Sequence, residues 1–295
     1  MASSFILTPR LLAAVEELPL LAETVVEGFL DGLHRSPFLG YSTEFSAYRS
    51  YTQGDNLRHL DWKVWARTDE LYVKQFEDDT NLRCQIFLDT SASMDFGEGV
   101  VHKFSYARLL AAALAQLMVR QRDAPGLILF GPENRQAIPA AATRQQAVEI
   151  FSLLASARAT GGTFLGTDLF GIVHTMIRRG LAIVISDCFT ADESCLELLR
   201  QLRAQRQEVI LFQTLAPEEM ELPYTGEFIM EDCESAAEVV VHADEFRREY
   251  QRRVTAFCEG IRQECLKLEV DYYRLRTDEP LDRALIAYLE RRQMV

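Results

Sequence analysis

From residue 82 onward, short apolar runs alternate with longer amphipathic stretches, and this alternation restricts the fold more than any other feature of the chain. Strands are expected at 83–88, 126–130, 181–185, 208–213, 227–231 and 268–273. Helices are expected at 103–121, 143–156, 167–179, 193–205, 243–267 and 280–292. Strands separated by helices build a doubly wound α/β fold, a mostly parallel sheet covered on both faces. In such sheets ligands bind beyond the carboxyl ends of the strands, near the point where strand order reverses. Functional chemistry is therefore to be sought where the apolar runs stop.

Before residue 82 the character differs. An amphipathic helix is expected over 8–32, with Pro9 well placed near its start. Residues 37–80 are dense in Tyr, Trp, Arg and Asp, with turn signals at Gln53-Gly54-Asp55-Asn56 and Arg67-Thr68-Asp69 and a strand-like run at 70–76. The expected organisation is an N-terminal helix plus a loop- and strand-rich extension over 1–80, packing on an α/β domain over 81–295. A chain of 295 residues can bury the core this requires.

Composition removes several function classes. A formal net charge of -13 opposes a sequence-independent grip on nucleic acid and opposes docking on anionic membranes. The most apolar early stretch, 11–33, is interrupted by Glu16, Glu17, Glu23, Glu27 and Asp31, so no membrane span is expected. The six cysteines form no CxxC pair and suit small buried side chains in a reducing compartment, which points to a cytoplasmic protein.

Asp89-Thr90-Ser91-Ala92-Ser93 follows the first of the apolar runs. An acid and two hydroxyls at alternate positions on one tight loop suit a hard cation such as Mg²⁺ or Mn²⁺. The same residue types also favour helix N-caps, so the motif alone leaves both readings open. Two further turns bear on the choice. Gly161-Gly162-Thr163 offers a hydroxyl on a glycine-rich loop, and Ile185-Ser186-Asp187 ends another apolar run with a second carboxylate. Singly, Thr163 and Asp187 read as cap or loop residues. Jointly, two acids and three hydroxyls on three strand-end loops can surround one cation and leave a coordination position open.

Asp89-x-Ser91-x-Ser93, Thr163 and Asp187 together resemble the metal-ion-dependent adhesion site of von Willebrand factor A domains, a Rossmann-type fold. The resemblance implies that Ser91, Ser93 and Thr163 contact the metal and that Asp89 and Asp187 hold it largely through water. It also implies that an acidic side chain of a partner fills the open position. A second resemblance covers nearly the whole chain. Glu44, Phe45, Arg49, Tyr51, Gly54, Asp55, Arg58, Asp61, Trp62, Ala66 and Arg67 stand in the spacing of the bacterial domain of unknown function 58 family, whose signature precedes a von Willebrand A-like domain. That family is associated with MoxR-type AAA ATPases in chaperone-like maturation or metal insertion, so such an ATPase is the partner implied. Many relatives carry N-terminal transmembrane helices, where this chain has a charged amphipathic helix.

Within the signature block, Arg49, Arg58, Arg67, Asp55 and Asp61 can form an ion-pair network beside Trp62 and Trp65. Arg49, Arg58, Asp61, Trp62 and Arg67 alternatively form a partner-docking face, since Trp and Arg concentrate binding energy. Catalytic signatures are scarce. No GxSxG elbow, P-loop or GxGxxG occurs, and the five histidines are scattered. The acidic stretch 218–245 reads as solvated surface, with contact to a basic partner as the alternative. The expectation is a non-enzymatic, metal-dependent adaptor binding an acidic client side chain; a Mg²⁺- or Mn²⁺-dependent hydrolase using the same pocket is the alternative.

Overall fold

A computed structural model describes residues 18–34, 47–50, 72–75, 82–97, 102–131, 136–143, 145–159, 179–189, 194–231 and 238–292. The chain divides into two compact units, Met1–Gly32 with Leu82–Val295, and Leu33–Asn81. In the smaller unit, β1 (Ala47–Ser50) and β2 (Tyr72–Gln75) pair antiparallel, with Arg49 opposite Val73.

The larger unit includes all but the last two residues of α1 (Leu18–His34), within which Ala22, Val25, Val26 and Phe29 are buried. Their spacing repeats one face of a helix, which is why this segment coils and docks. The part of the expected helix before residue 18 lies outside the described residues.

A mixed α/β architecture with a mostly parallel central sheet follows. Its strands are β3 (Arg83–Asp89), β4 (Ala124–Phe130), β5 (Ala137–Ile138), β6 (Leu181–Ser186), β7 (Glu208–Leu215) and β10 (Asp271–Arg276). Across the sheet they run β10-β7-β6-β3-β4-β5, all parallel except the short edge strand β5. The chain leaves β3 toward β4 on one side and returns to β6 on the other, so strand order reverses between β3 and β6. That is the topological switch point of an open α/β sheet.

The central strands are apolar along most of their length because both faces are covered. On one face Phe87, Val184, Val209 and Leu211 pack with Leu198, Leu199 and Leu202 of α4 (Ser194–Ala204) and with Ile261 and Cys265 of α6 (Ala243–Lys267). The alternate residues of these strands point the other way. On that side lies α2 (Lys103–Arg120), which meets β3, β4, β6 and β7 and is in turn covered by α3 (Gln146–Ser156) and α7 (Asp282–Arg292).

Between β7 and α6 come the short α5 (Pro217–Glu221) and a separate antiparallel pair, β8 (Glu227–Glu231) and β9 (Glu238–His242). The sequence reading expected the strand at 227–231 but not its partner. Cys84, Cys188, Cys195, Cys258 and Cys265 are buried and unbridged, as the sequence suggested. No helix among the described residues is long and apolar enough to cross a membrane.

The two ends of the sheet differ in chemistry. At the amino ends of the strands, buried Asp123 accepts from Tyr288 Oη at 2.5 Å, Arg292 Nε at 2.6 Å and the Leu82 N–H at 3.2 Å. Arg291 joins Glu208 at 2.6 Å and Asp271 at 3.3 Å, so α7 is pinned to three strand starts. The carboxyl ends carry the candidate site.

Candidate functional site at the carboxyl ends of the central strands

Asp89 closes β3 and Ser186-Asp187 closes β6, which places both acids at the switch point. Asp89, Ser91, Ser186 and Asp187 are fully buried. Asp89 Oδ1 accepts the Ser91 N–H at 2.9 Å, a local turn that aspartate favours. Its Oδ2 accepts from Ser186 Oγ at 2.6 Å, and Ser186 Oγ accepts the Cys188 N–H at 2.9 Å. The two strand-end loops are thus stitched together through the Asp89 carboxylate. Burial, reinforced by the Asp187 charge, pushes the Asp89 carboxyl up to about 6.

The loop after β3 does not cap the next helix. Ser91 makes no side-chain capping bond, and α2 starts only at Lys103, where His102 Nδ1 accepts the Ser105 N–H at 3.4 Å. The Ser91 and Ser93 hydroxyls lie 3.0 Å apart instead. Gly131 makes room for this loop, since a Cβ there would run into Thr90 Oγ1. Thr90 in turn ties the loop to β4, its N–H and hydroxyl reaching Phe130 O at 2.8 and 3.0 Å.

Asp187 is held on three sides. Its Oδ1 accepts the Phe189 N–H at 2.9 Å, its backbone carbonyl accepts from Gln213 Nε2 at 3.0 Å, and its Oδ2 meets Lys103 Nζ at 2.7 Å. Lys103 is completely buried and also reaches Glu219 Oε1 at 2.6 Å, beneath the Phe96 and Phe189 rings at 5.7 and 5.3 Å. Burial opposes the ammonium charge, but Asp187 and Glu219 outweigh it, and the lysine pKa ends above its ordinary value. Burial also raises the Glu219 carboxyl despite Lys103. Glu219 Oε2 accepts the Ala216 N–H at 2.8 Å, so this acid belongs to the core of the site. The reading of 218–245 as solvated surface is corrected at that position: an opposing buried cation makes burial of the acid tolerable.

Of the metal-ligand candidates, the structure brings Asp89, Ser91, Ser93 and Asp187 to adjoining strand ends; Thr163 lies outside the described residues. Among the candidate partner-docking residues, Arg49 lies on β1. Arg58, Asp61, Trp62 and Arg67 lie outside the described residues. Sequence reasoning missed Lys103 and Glu219. One signal for Lys103 was present: it opens a helix with no acid in its first turn, where a cation opposes the helix dipole. His102, beside the loop, has both ring nitrogens engaged, Nε2 meeting Asp95 at 2.9 Å.

Residues 47–258 match the family described as Protein of unknown function DUF58. The chain belongs to that family. This DUF58 protein is 31% identical over 230 residues to an uncharacterized protein of Mycobacterium tuberculosis, a match spanning 77% of this chain and 72% of the relative. An uncharacterized protein of Mycobacterium bovis matches to the same extent. Among solved structures, the DUF58 chain is similar to the conserved hypothetical protein BatB from Bacteroides thetaiotaomicron, with 16% identity, a TM-score of 0.46, and 72% of this chain and 100% of that one covered. An aerotolerance-related membrane protein from Bacteroides fragilis gives 16% identity and a TM-score of 0.45, covering 70% and 96%.

Proposed function

We propose that this DUF58 protein is a non-enzymatic, cytoplasmic adaptor whose strand-end pocket is a metal-ion-dependent adhesion site on a von Willebrand factor A-like domain. The observation that carries this reading is the convergence of two fully buried carboxylates, Asp89 and Asp187, with the paired Ser91 and Ser93 hydroxyls at the switch point. The donor set fits a hard divalent cation. It is all oxygen, the serine hydroxyls serve no helix cap, and a carboxylate oxygen with one protein hydrogen bond retains further lone pairs. Buried ionised acids also carry a desolvation cost that a cation offsets.

Ser91 and Ser93 would hold the ion, with Asp89 and Asp187 fixed around it by Ser186, Phe189 and Lys103. A bound Mg²⁺ or Mn²⁺ supplies positive charge with a position open to a carboxylate of a client or partner. The resemblance of the signature block implies a MoxR-type AAA ATPase as the associated machine, the pair acting in chaperone-like maturation or assembly. The hydrolase alternative needs a general base facing the pocket. Lys103 is pinned between two acids and His102 is committed at both nitrogens, so neither serves as one.

The test is capture of a purified MoxR-type ATPase by the immobilised full chain. Capture is expected in Mg²⁺, and it should be abolished by EDTA or by Asp89→Ala. Equal capture under all three conditions would contradict the proposal. Turnover of phosphoester or peptide substrates that requires Mn²⁺ and Asp187 would favour the hydrolase instead.

A further inference from the structure

Lys103 is the least expected group in the molecule. Its charge is fully buried and stands at the positive end of the α2 dipole, so neither helix formation nor solvation accounts for it. Its ammonium is spent on two acids, Asp187 at 2.7 Å and Glu219 at 2.6 Å. Asp89, also fully buried, closes the adjoining strand, so this end of the sheet holds three buried or nearly buried acids and one internal cation. With all four groups ionised, two negative charges remain, which one divalent ion would neutralise.

Resting on the cation-site reading above, we propose that Lys103 is a resident cation of that site and limits its affinity for divalent ions. The ammonium occupies Asp187 Oδ2 while the Phe189 N–H occupies Oδ1, so both oxygens of that acid are already engaged. An incoming ion must share Asp187 with a like charge in a buried setting, where repulsion is weakly screened. The ion is therefore held loosely by the free protein, and a partner carboxylate completing the site contributes much of the final hold. Lys103 is a specificity-determining residue in this sense: it biases the pocket toward capture of ion and partner together.

The test compares Mn²⁺ uptake by the intact wild-type chain, Lys103→Met, and the double variant Lys103→Met with Glu219→Gln, read from the electron paramagnetic resonance signal of free Mn²⁺. The double variant removes one charge of each sign, so the pocket keeps its two net negative charges while Asp187 loses its ammonium. It keeps the proposal testable should the single variant fail to fold. The expected result is that the double variant binds Mn²⁺ at least about tenfold more tightly than the wild type, because Asp187 Oδ2 is freed of its ammonium at unchanged net charge. Wild-type uptake with unchanged or weaker binding in the double variant would overturn the role of Lys103 and leave the cation site standing. No uptake by any of the three chains would overturn both. Uptake by the double variant alone would support the role of Lys103 and show that the free wild-type pocket excludes the ion.

Discussion

Asp187→Ala is expected to lose partner capture entirely and to lower the unfolding free energy by about 3 kcal/mol, the lower end for breaking a buried ion pair, because Glu219 still holds Lys103. Alanine removes the acceptor for Lys103 Nζ and for the Phe189 N–H. Asp187→Asn separates the two losses. Its amide oxygen can accept from only one of the two donors, Lys103 Nζ or the Phe189 N–H, so only part of the stability should return, while the missing charge leaves capture abolished. Denaturant unfolding and Mg²⁺-dependent capture, measured on both variants, read the two effects independently. Full capture by Asp187→Asn would remove this acid from the proposed site.

The second large effect lies at the opposite end of the sheet. Asp123→Ala deletes the acceptor shared by Tyr288 Oη, Arg292 Nε and the Leu82 N–H, leaving a buried phenol and a half-buried guanidinium without it. The expected loss is about 3–5 kcal/mol in chemical denaturation, typical of an uncompensated buried partner. Tyr288→Phe removes one bond and one polar group together and should cost only about 1 kcal/mol. Because Asp123 sits at strand starts, away from Asp89 and Asp187, the folded fraction of Asp123→Ala should still capture partner in Mg²⁺. A loss under about 1 kcal/mol for Asp123→Ala would mean that α7 is not anchored through this acid.

Local pattern made much of the main sheet legible, and its exceptions have physical causes. The long helix at 243–267 was readable because its amphipathic period runs unbroken to Lys267. The strand expected at 268–273 in fact spans Asp271–Arg276. Leu268 and Val270 look like strand residues, yet Leu268 is the helix C-cap and Glu269 turns the chain at φ 56°. Both apolar side chains enter the core from that turn. Strand β5 was missed because two residues establish no period. At the candidate site, the loop of Asp89, Ser91 and Ser93 and the acid Asp187 were legible, since strand-end position and residue chemistry can both be read locally. Lys103 and Glu219 were not. Their meaning lies in a contact across 116 residues, and each alone looks like an ordinary surface charge.

The claim that this strand-end pocket takes a divalent ion through Asp89 is tested most directly by equilibrium dialysis of the intact chain against Mn²⁺. The account predicts that the wild type retains one ion per chain, released by excess Mg²⁺, and that Asp89→Ala retains none. Retention neither by the wild type nor by the Lys103→Met, Glu219→Gln variant, or equal retention by the wild type and Asp89→Ala, would contradict it.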